Sequence, residues 1–173
     1  MERLGVLIGH DGETKKELEK KTGISININS EEGEVEICEN KDTDPLSILK
    51  AENVIRAIGR GFSPENAFLL LSDQMEFFLF DLHDFVGKKP SHVKRLKSRV
   101  IGKKGKTRRI LEELTSSKIS VYGHTISVIS DMLNINIVKK SIEMILKGSK
   151  HATVYRFVEK QMKEQKRTRA LEF

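Results

Sequence analysis

The sequence is poor in cysteine, in clustered histidine and in long apolar runs, and each shortage excludes a class of protein. Cys38 is the single cysteine, which excludes an internal disulfide framework and a cysteine metal cluster. It ends the strand-like run EVEIC, where we expect a small, buried apolar residue. The five histidines show no HxxxH or HxH spacing, so local sequence predicts no metal site. No stretch approaches the roughly 18 apolar residues of a membrane helix, and the opening apolar run is too short for a signal peptide. We therefore expect a soluble, cytoplasmic protein that does not engage a membrane.

The charge balance is basic. Lysine and arginine number 31 against 25 aspartate and glutamate residues, which gives a formal net charge of +6 and a pI near 9.4. This balance favours a polyanionic partner. A charged fraction of 32% also fits the ion-pair networks of a heat-adapted surface, and composition alone leaves both readings open.

The chain repeats itself once. The segment GHDGETKKELEKKTGISININ (9–29) aligns without a gap with GKKGKTRRILEELTSSKISVY (102–122) at an offset of 93 positions. Glycines, threonines, paired basic residues and apolar positions coincide in the two segments. A duplication of one unit explains this match, and two copies predict tandem domains, which a length of 173 residues accommodates.

Each copy predicts the same order of elements after its glycines. In the first copy, ISININ and EVEIC alternate apolar and polar residues and predict a hairpin with Gly33 in its loop. A helix over 44–58 follows, with Asp44 as N-cap and Pro45 at its first position. The apolar face of this predicted helix contains Ile48, Leu49, Ala51, Val54, Ile55 and Ile58. The second copy has KISVYG, a turn near His124, TISVIS and a helix around 132–147.

The remaining segments complete the predicted architecture. MEFFLFDLHDFVG predicts an opening strand for the second copy, whereas only MERLGVL precedes Ile8. Either the chain therefore lacks this strand, which leaves a two-stranded sheet with an exposed edge, or the start of the chain has been placed too late. A helix over 64–72 is expected to pack between the domains, and a last helix spans 151–170. The predicted division is 1–61 for the first domain, 62–75 for a connecting helix, 76–150 for the second domain and 151–173 for a basic C-terminal helix.

The GxxG in each copy has the properties of an anion site. Glycines let the backbone turn between two helices without Cβ clashes and leave amide groups exposed at the start of the second helix. The positive end of that helix and lysines in the turn attract phosphates of a nucleic acid. The window GKKGKTRR has a net charge of +5, but GHDGETKK is neutral because Asp11 and Glu13 offset two lysines. We expect the second copy to dominate affinity for a polyanion.

This motif and element order resemble the KH domain, whose GxxG loop holds about four nucleotides of single-stranded RNA or DNA. Two strands and a helix after each GxxG match the type I order, β-α-α-β-β-α. The resemblance implies an α+β fold with two type I KH domains, each a three-stranded sheet packed on helices, the first with its opening strand in question. The RNA-binding residues implied are Arg99, Ile101, Gly102, Lys103, Lys104, Gly105, Lys106, Thr107, Arg108, Arg109 and Ile119. A secondary contact with RNA or protein is implied for Gly9, His10, Asp11, Gly12, Lys15 and Lys16.

A resemblance over nearly the whole chain is closer still. Two KH units joined by GRGFSPENA, with RVIGKKGKTRRILEELT, ISVYGHTISVIS and a trailing HATVYRFVE, are similar to the archaeal ribosome-assembly factors related to the eukaryotic partner-of-Nob (Dim-two) family. This resemblance implies binding to the 3′ region of small-subunit rRNA. It also implies a Nob-type endonuclease and the α subunit of initiation factor two as partners.

Several alternatives stay open at this stage. Val100, Ile101 and Ile119 either line the groove for the bases or fill the core, and the basic residues from Lys160 onward form either a solvated face or an RNA grip. A P-loop would need glycine at position 100, where the chain has valine, and no catalytic constellation stands out, so we expect no enzyme and no cofactor. A general KH adaptor for mRNA or proteins is the main alternative. Aromatic residues at 6% argue against extensive base stacking.

Overall fold

The computed structural model describes residues 3–38 and 44–171, whose contacts divide the chain into two compact units, Met1–Phe77 and Phe78–Phe173. The first unit contains α1 (Leu4–Ile8), α2 (Glu13–Thr22), β1 (Ser25–Asn29), β2 (Glu34–Cys38), α3 (Pro45–Gly59) and α4 (Pro64–Ala67). A 3₁₀ turn, His10–Gly12, separates α1 from α2, and a second, Phe68–Leu71, extends α4.

The second unit has the complete type I order with two additional helices, a short one after the first strand and a long one at the end. Its elements are β3 (Met75–Asp81, within which the unit boundary falls), α5 (His83–Val86), α6 (Pro90–Ile101), α7 (Lys106–Thr115), β4 (Lys118–Tyr122), β5 (Thr125–Asp131), α8 (Ile135–Leu146) and α9 (His151–Leu171). A 3₁₀ turn, Lys103–Gly105, joins α6 to α7. The sheet order is β3-β5-β4, and β4 pairs antiparallel with β5 so that Ile119 faces Val128.

The sheet of the first unit has two strands within the described residues, 3–38 and 44–171. β1 and β2 pair antiparallel, with Ile26 opposite Ile37. In this part of the chain the first unit therefore follows the order α-α-β-β-α, with the short α4 after it. The apolar side chains of β2, Val35 and Ile37, are only half-buried, as expected for a strand at a sheet edge.

Local signals explain where the helices begin. The carboxylate of Asp44 accepts a hydrogen bond from the backbone amide of Leu46 at 3.2 Å, and Pro45 occupies the first helical position, so the predicted N-cap of α3 is confirmed. Ser63 caps α4 in the same way, by accepting from the amide of Asn66. These caps satisfy amide groups that have no carbonyl partner within the helix.

The core of the second unit lies between its helices and one face of the sheet. The strand β5 and the helices α6, α7 and α8 all contribute to it. The helix α9 packs on α7 and α8, and its Val154 and Val158 are completely buried in this core. The predicted basic C-terminal helix is thus an integral element of the second unit.

Three sequence-based expectations differ from the structure, those for Cys38, for Leu49 and for the length of the opening strand of the second unit. Cys38 is exposed instead of buried, because the last position of β2 points away from the apolar side of the hairpin. Leu49 is 53% exposed, since it lies at the margin of the apolar face of α3. The opening strand of the second unit ends at Asp81, and the chain then turns into α5. The segment after Phe62 packs against α3 within the first unit and buries Ala67 and Leu70.

Candidate nucleic-acid interface

The first glycine of the second GxxG lies in a conformation that only glycine adopts readily. Gly102 ends α6 with φ 73° and ψ 174°. A Cβ at this position would lie 2.8 Å from the backbone nitrogen of Thr107 and would collide with the hydroxyl of the same residue. Gly102 therefore allows the start of α7 to pack directly against the end of α6.

The middle of the turn places a lysine in the left-handed region. Lys104 has φ 52° and ψ 32°, a conformation that costs an L-residue roughly 1–2 kcal/mol. Gly105 follows with φ 75° and ψ 11°, and no atom of the part of the chain that the structure describes lies within 4 Å of the Cβ that another residue would place there. A costly backbone conformation that keeps a lysine at the tip of an exposed corner indicates a functional constraint.

The corner presents several exposed cations beside the N-terminus of α7. Lys103, Lys104, Lys106 and Arg109 are exposed. The guanidinium of Arg109 donates to the carbonyl of Lys104 at 3.2 Å, which holds this cation against the turn. Among the described residues, no side chain caps Gly105, so the first amide groups of α7 face an open, positively charged surface. Arg108 contributes less, because its Nε lies 3.6 Å from a carboxylate oxygen of Glu112 and the side chain is partly covered.

The first copy reproduces this backbone closely. Gly9 has φ 76° and ψ 179°, Asp11 has φ 50° and ψ 26°, and Gly12 has φ 77°. Lys16 donates to the carbonyl of Asp11 at 3.1 Å, as Arg109 does to Lys104. Glu19 accepts from the amide of Ile26 at 2.7 Å, and Glu112 accepts from the amide of Ile119 at 2.8 Å. The predicted duplication is thus a duplication of structure.

The two corners differ in charge. In the first copy the side chains of His10 and Asp11 are about 90% exposed, and His10 Nδ1 lies 3.0 Å from Asp11 Oδ2. A carboxylate thus occupies the tip where the second copy has Lys104. Lys15 lies 3.9 Å from Glu19. The first corner has the shape of the second without its excess of cations.

Three predicted RNA-contact residues are buried or hydrogen-bonded within the protein. Ile119 is 3% exposed and belongs to the core, and Thr107 is 4% exposed, with its hydroxyl near that of Tyr155 at 3.2 Å. Arg99 donates from Nε to the carbonyl of Ile145 at 3.1 Å and from Nη2 to the carbonyl of Ser149 at 2.7 Å. Ile119 therefore belongs to the core of the second unit, and Val100 is fully buried there as well.

Arg99 lies away from the corner for a simple geometric reason. Residues that are two positions apart on a helix differ by about 200° around its axis. Arg99 and Ile101 therefore project from nearly opposite sides of α6. The guanidinium of Arg99 instead donates to the carbonyl of Ile145 in the last turn of α8 and to that of Ser149 just after this helix. Ile101 directly precedes Gly102 and is half-buried, so part of its apolar side chain remains exposed next to the corner.

The structure also assembles a cluster that sequence spacing did not reveal. Asp81 at the end of β3, His83 at the start of α5 and His124 in the β4–β5 turn offer ligand atoms that lie within 4.8 Å of one another. The two histidines are 41 positions apart, so no local motif signalled this cluster. A concavity of about 540 Å³ adjoins both rings and is also lined by lysines of α6.

The basic end of α9 forms a third positively charged surface. Lys163, Lys166 and Arg167 border a shallow concavity that also exposes Leu114 and Met162. Lys160 lies 3.8 Å from Glu164 and is partly neutralised. Both readings made from the sequence, a solvated face and an RNA grip, fit this arrangement.

Within residues 3–38 and 44–171, no helix is both long and apolar enough to span a membrane.

Comparison with known proteins identifies both units. A family model described as "Eukaryotic type KH-domain (KH-domain type I)" matches residues 76–163, and one described as "Krr1 KH1 domain" matches residues 5–73. The KH domain-containing protein MJ0443 of Methanocaldococcus jannaschii is 43% identical over 169 residues, which cover 97% of this chain and 74% of that protein.

Two further relatives have names that mention RNA. The pre-rRNA-processing protein pno1 of Schizosaccharomyces pombe is 27% identical over 134 residues, and the match covers 76% of this chain but only 56% of that protein. One chain of the crystal structure of the a/eIF2alpha-aDim2p-rRNA complex from Pyrococcus horikoshii is 44% identical, with a TM-score of 0.86. The match covers 94% of this chain and 90% of that chain.

Proposed function

We propose that this chain, which belongs to the tandem KH-domain family of pno1 and archaeal Dim2p, binds single-stranded RNA and acts in the processing of small-subunit rRNA. The observation that carries this proposal is the exposed cationic corner of the second unit, Gly102 to Gly105. Its predicted contacts are the exposed residues Lys103, Lys104, Lys106 and Arg109 with the backbone around them.

The physical basis is a match between the corner and a phosphate group. Amide groups at an uncapped helix N-terminus and several flexible ammonium groups all favour an anion at the same place. The glycines keep Cβ atoms out of the way, so a sugar-phosphate backbone can lie directly against the turn. Ile101 adds apolar surface next to the turn, which suits the face of a base.

The first unit has a different role in this proposal. Its corner has the same shape, but Asp11 would repel a phosphate at the tip. We assign RNA affinity mainly to the second unit and leave Gly9, His10, Asp11, Gly12, Lys15 and Lys16 as a weaker RNA contact or a protein contact.

The relatives suggest the RNA and the partners. The Schizosaccharomyces protein is named for pre-rRNA processing, and the Pyrococcus complex contains Dim2p, rRNA and the α subunit of initiation factor two. We extend this to the present chain and propose the 3′ region of small-subunit rRNA as its target, in the cytoplasm. A Nob-type endonuclease and the α subunit of initiation factor two are the protein partners that we propose.

Binding to defined oligonucleotides tests the proposal. Labelled oligonucleotides with the 3′-terminal sequence of small-subunit rRNA, a scrambled version and a duplex of the same sequence are compared by fluorescence anisotropy. We expect the single strand of native sequence to bind most tightly. Equal affinity for native and scrambled strands would favour a general KH adaptor, and no binding of any single strand at low salt would refute RNA binding altogether.

A further inference from the structure

A second cationic site lies at the N-terminal end of α6, whereas the GxxG corner follows the C-terminal end of this helix. The lysines Lys88, Lys94 and Lys97 and the rings of His83 and His124 border the concavity of about 540 Å³ described above, with Pro90 on one wall. None of these residues belongs to the GxxG corner. We refer to this concavity as the histidine pocket.

The two imidazole rings of the histidine pocket form a fixed stacked pair. Their centroids are 4.4 Å apart and their planes differ by 12°. One carboxylate lies beside both rings: Asp81 Oδ1 lies 3.4 Å from His83 Nδ1, and Asp81 Oδ2 lies 3.5 Å from His124 Nε2. A backbone hydrogen bond also joins the two segments that carry the rings, since the amide of Leu82 donates to the carbonyl of His124 at 2.9 Å.

A metal ion fits this pair poorly. A ligating imidazole holds a metal ion in the plane of its own ring, at about 2.0–2.1 Å for zinc. Two stacked, nearly parallel rings share no such point unless one of them rotates. Three lysines around the same concavity also outnumber the single carboxylate of Asp81, so the local charge favours an anion over a cation.

The pocket instead has the features of a nucleotide site. Imidazole faces are among the surfaces on which unstacked RNA bases stack, and the two side chains retain 30% and 42% of their exposure. Lysines beside a stacking surface provide contacts for the phosphates that accompany such a base. Base stacking and phosphate binding are thus available within one concavity.

One face of α6 connects the histidine pocket to the GxxG corner. Successive residues of a helix are rotated by about 100° around its axis. This rotation places four residues of α6 within about 60° of one another: Pro90, Lys94, Lys97 and Ile101. Pro90, Lys94 and Lys97 line the pocket, and Ile101 precedes Gly102. The rise of 1.5 Å per residue places the pocket about 8–18 Å from Gly102 along the helix. A strand that leaves the corner along this face meets the pocket within a few nucleotides.

We propose that the histidine pocket binds a further nucleotide of the same RNA strand, with its base stacked on the His83–His124 pair and its phosphates near Lys94 and Lys97. This inference rests on the proposed function, because the strand must first be held at the GxxG corner. It makes the RNA site of the second unit longer than the roughly four nucleotides of a GxxG loop.

Oligonucleotide length separates the two sites. A tetranucleotide that binds the protein is extended by four nucleotides at its 5′ end or at its 3′ end, and affinities are measured by fluorescence anisotropy in matched buffers with and without EDTA. We expect one of the two octamers to bind more tightly than the tetramer. Alanine at both His83 and His124 should weaken that octamer about 5-fold or more, the lower range for one stacked base, and leave the tetramer within about 2-fold.

Matched variants define the outcomes. His92→Ala removes a histidine of α6 that does not line the pocket and should change neither affinity, whereas phenylalanine at His124 should retain the octamer advantage because it preserves the stacking surface. The inference is overturned if neither octamer gains affinity, if the histidine variants leave the gain intact, or if the gain disappears in EDTA, as a metal-dependent site would require. Failure of the proposed function looks different, because neither the tetramer nor the octamers would then bind.

Discussion

Exchanging the two middle residues between the corners tests whether charge at the tip determines RNA affinity. The substitutions Lys103→His and Lys104→Asp give the second corner the sequence of the first, GHDG. The backbone tolerates this change, because Asp11 already adopts φ 50° and ψ 26° where Lys104 has φ 52° and ψ 32°. Aspartate also enters the left-handed region more readily than lysine. We therefore expect the variant to fold with unchanged or slightly raised stability.

The expected loss of affinity follows from the charges at the corner. Two exposed lysine-phosphate contacts contribute about 1 kcal/mol each, a value discounted for solvent. A new carboxylate about 6 Å from a phosphate adds about 0.7 kcal/mol of repulsion in water. The sum corresponds to roughly 100-fold weaker binding of single-stranded RNA. The salt dependence should also become shallower, by up to about 1.4 log units per log unit of salt for two lost phosphate contacts.

The reciprocal exchange is the control. His10→Lys and Asp11→Lys give the first corner the sequence GKKG and should leave affinity unchanged or raise it. Fluorescence anisotropy at one fixed salt concentration measures both exchanges, and circular dichroism melts verify that each variant is folded. Equal losses from the two exchanges, or no loss from the GHDG variant, would refute the assignment of RNA affinity to the second corner.

Three further predictions follow from the same geometry. Gly102→Ala should lower the free energy of unfolding by about 3 kcal/mol, because it combines a disfavoured backbone conformation with a clash against Thr107. Gly105→Ala meets open space and should lower it by only about 1 kcal/mol. Urea denaturation measures both variants, and similar losses would contradict the different roles of the two glycines. Arg99→Ala should lower stability by about 2 kcal/mol through loss of two carbonyl partners but leave RNA affinity within about 2-fold, so a large affinity loss in a folded variant would restore Arg99 to the RNA site. The affinity of the unmodified protein should fall with salt at a slope of about −2 to −3 on logarithmic axes, given four exposed cations at the corner; a flat response would indicate recognition of a protein.

Much of the fold was predictable because its signals are local. The N-cap at Asp44, the glycines of both corners and the alternation along β1, β4 and β5 depend on residues a few positions apart. The gap-free repeat then predicted that both copies share one structure, and the matching hydrogen bonds of Glu19 and Glu112 bear this out. The exposed fractions of Cys38 and Leu49 were missed, since alternation does not reveal how much of a strand end or helix margin is covered.

By itself, the sequence determined the two units, the glycine corners and the difference of charge between them, because backbone conformation and local charge depend on neighbouring residues. Only the tertiary structure decided which side chains beside the second corner reach the surface. It buried Ile119 in the core, directed Arg99 to the end of α8 and brought His83 and His124 together across 41 positions. Burial and long-range contacts depend on how helices pack on the sheet, and no spacing along the chain records that packing.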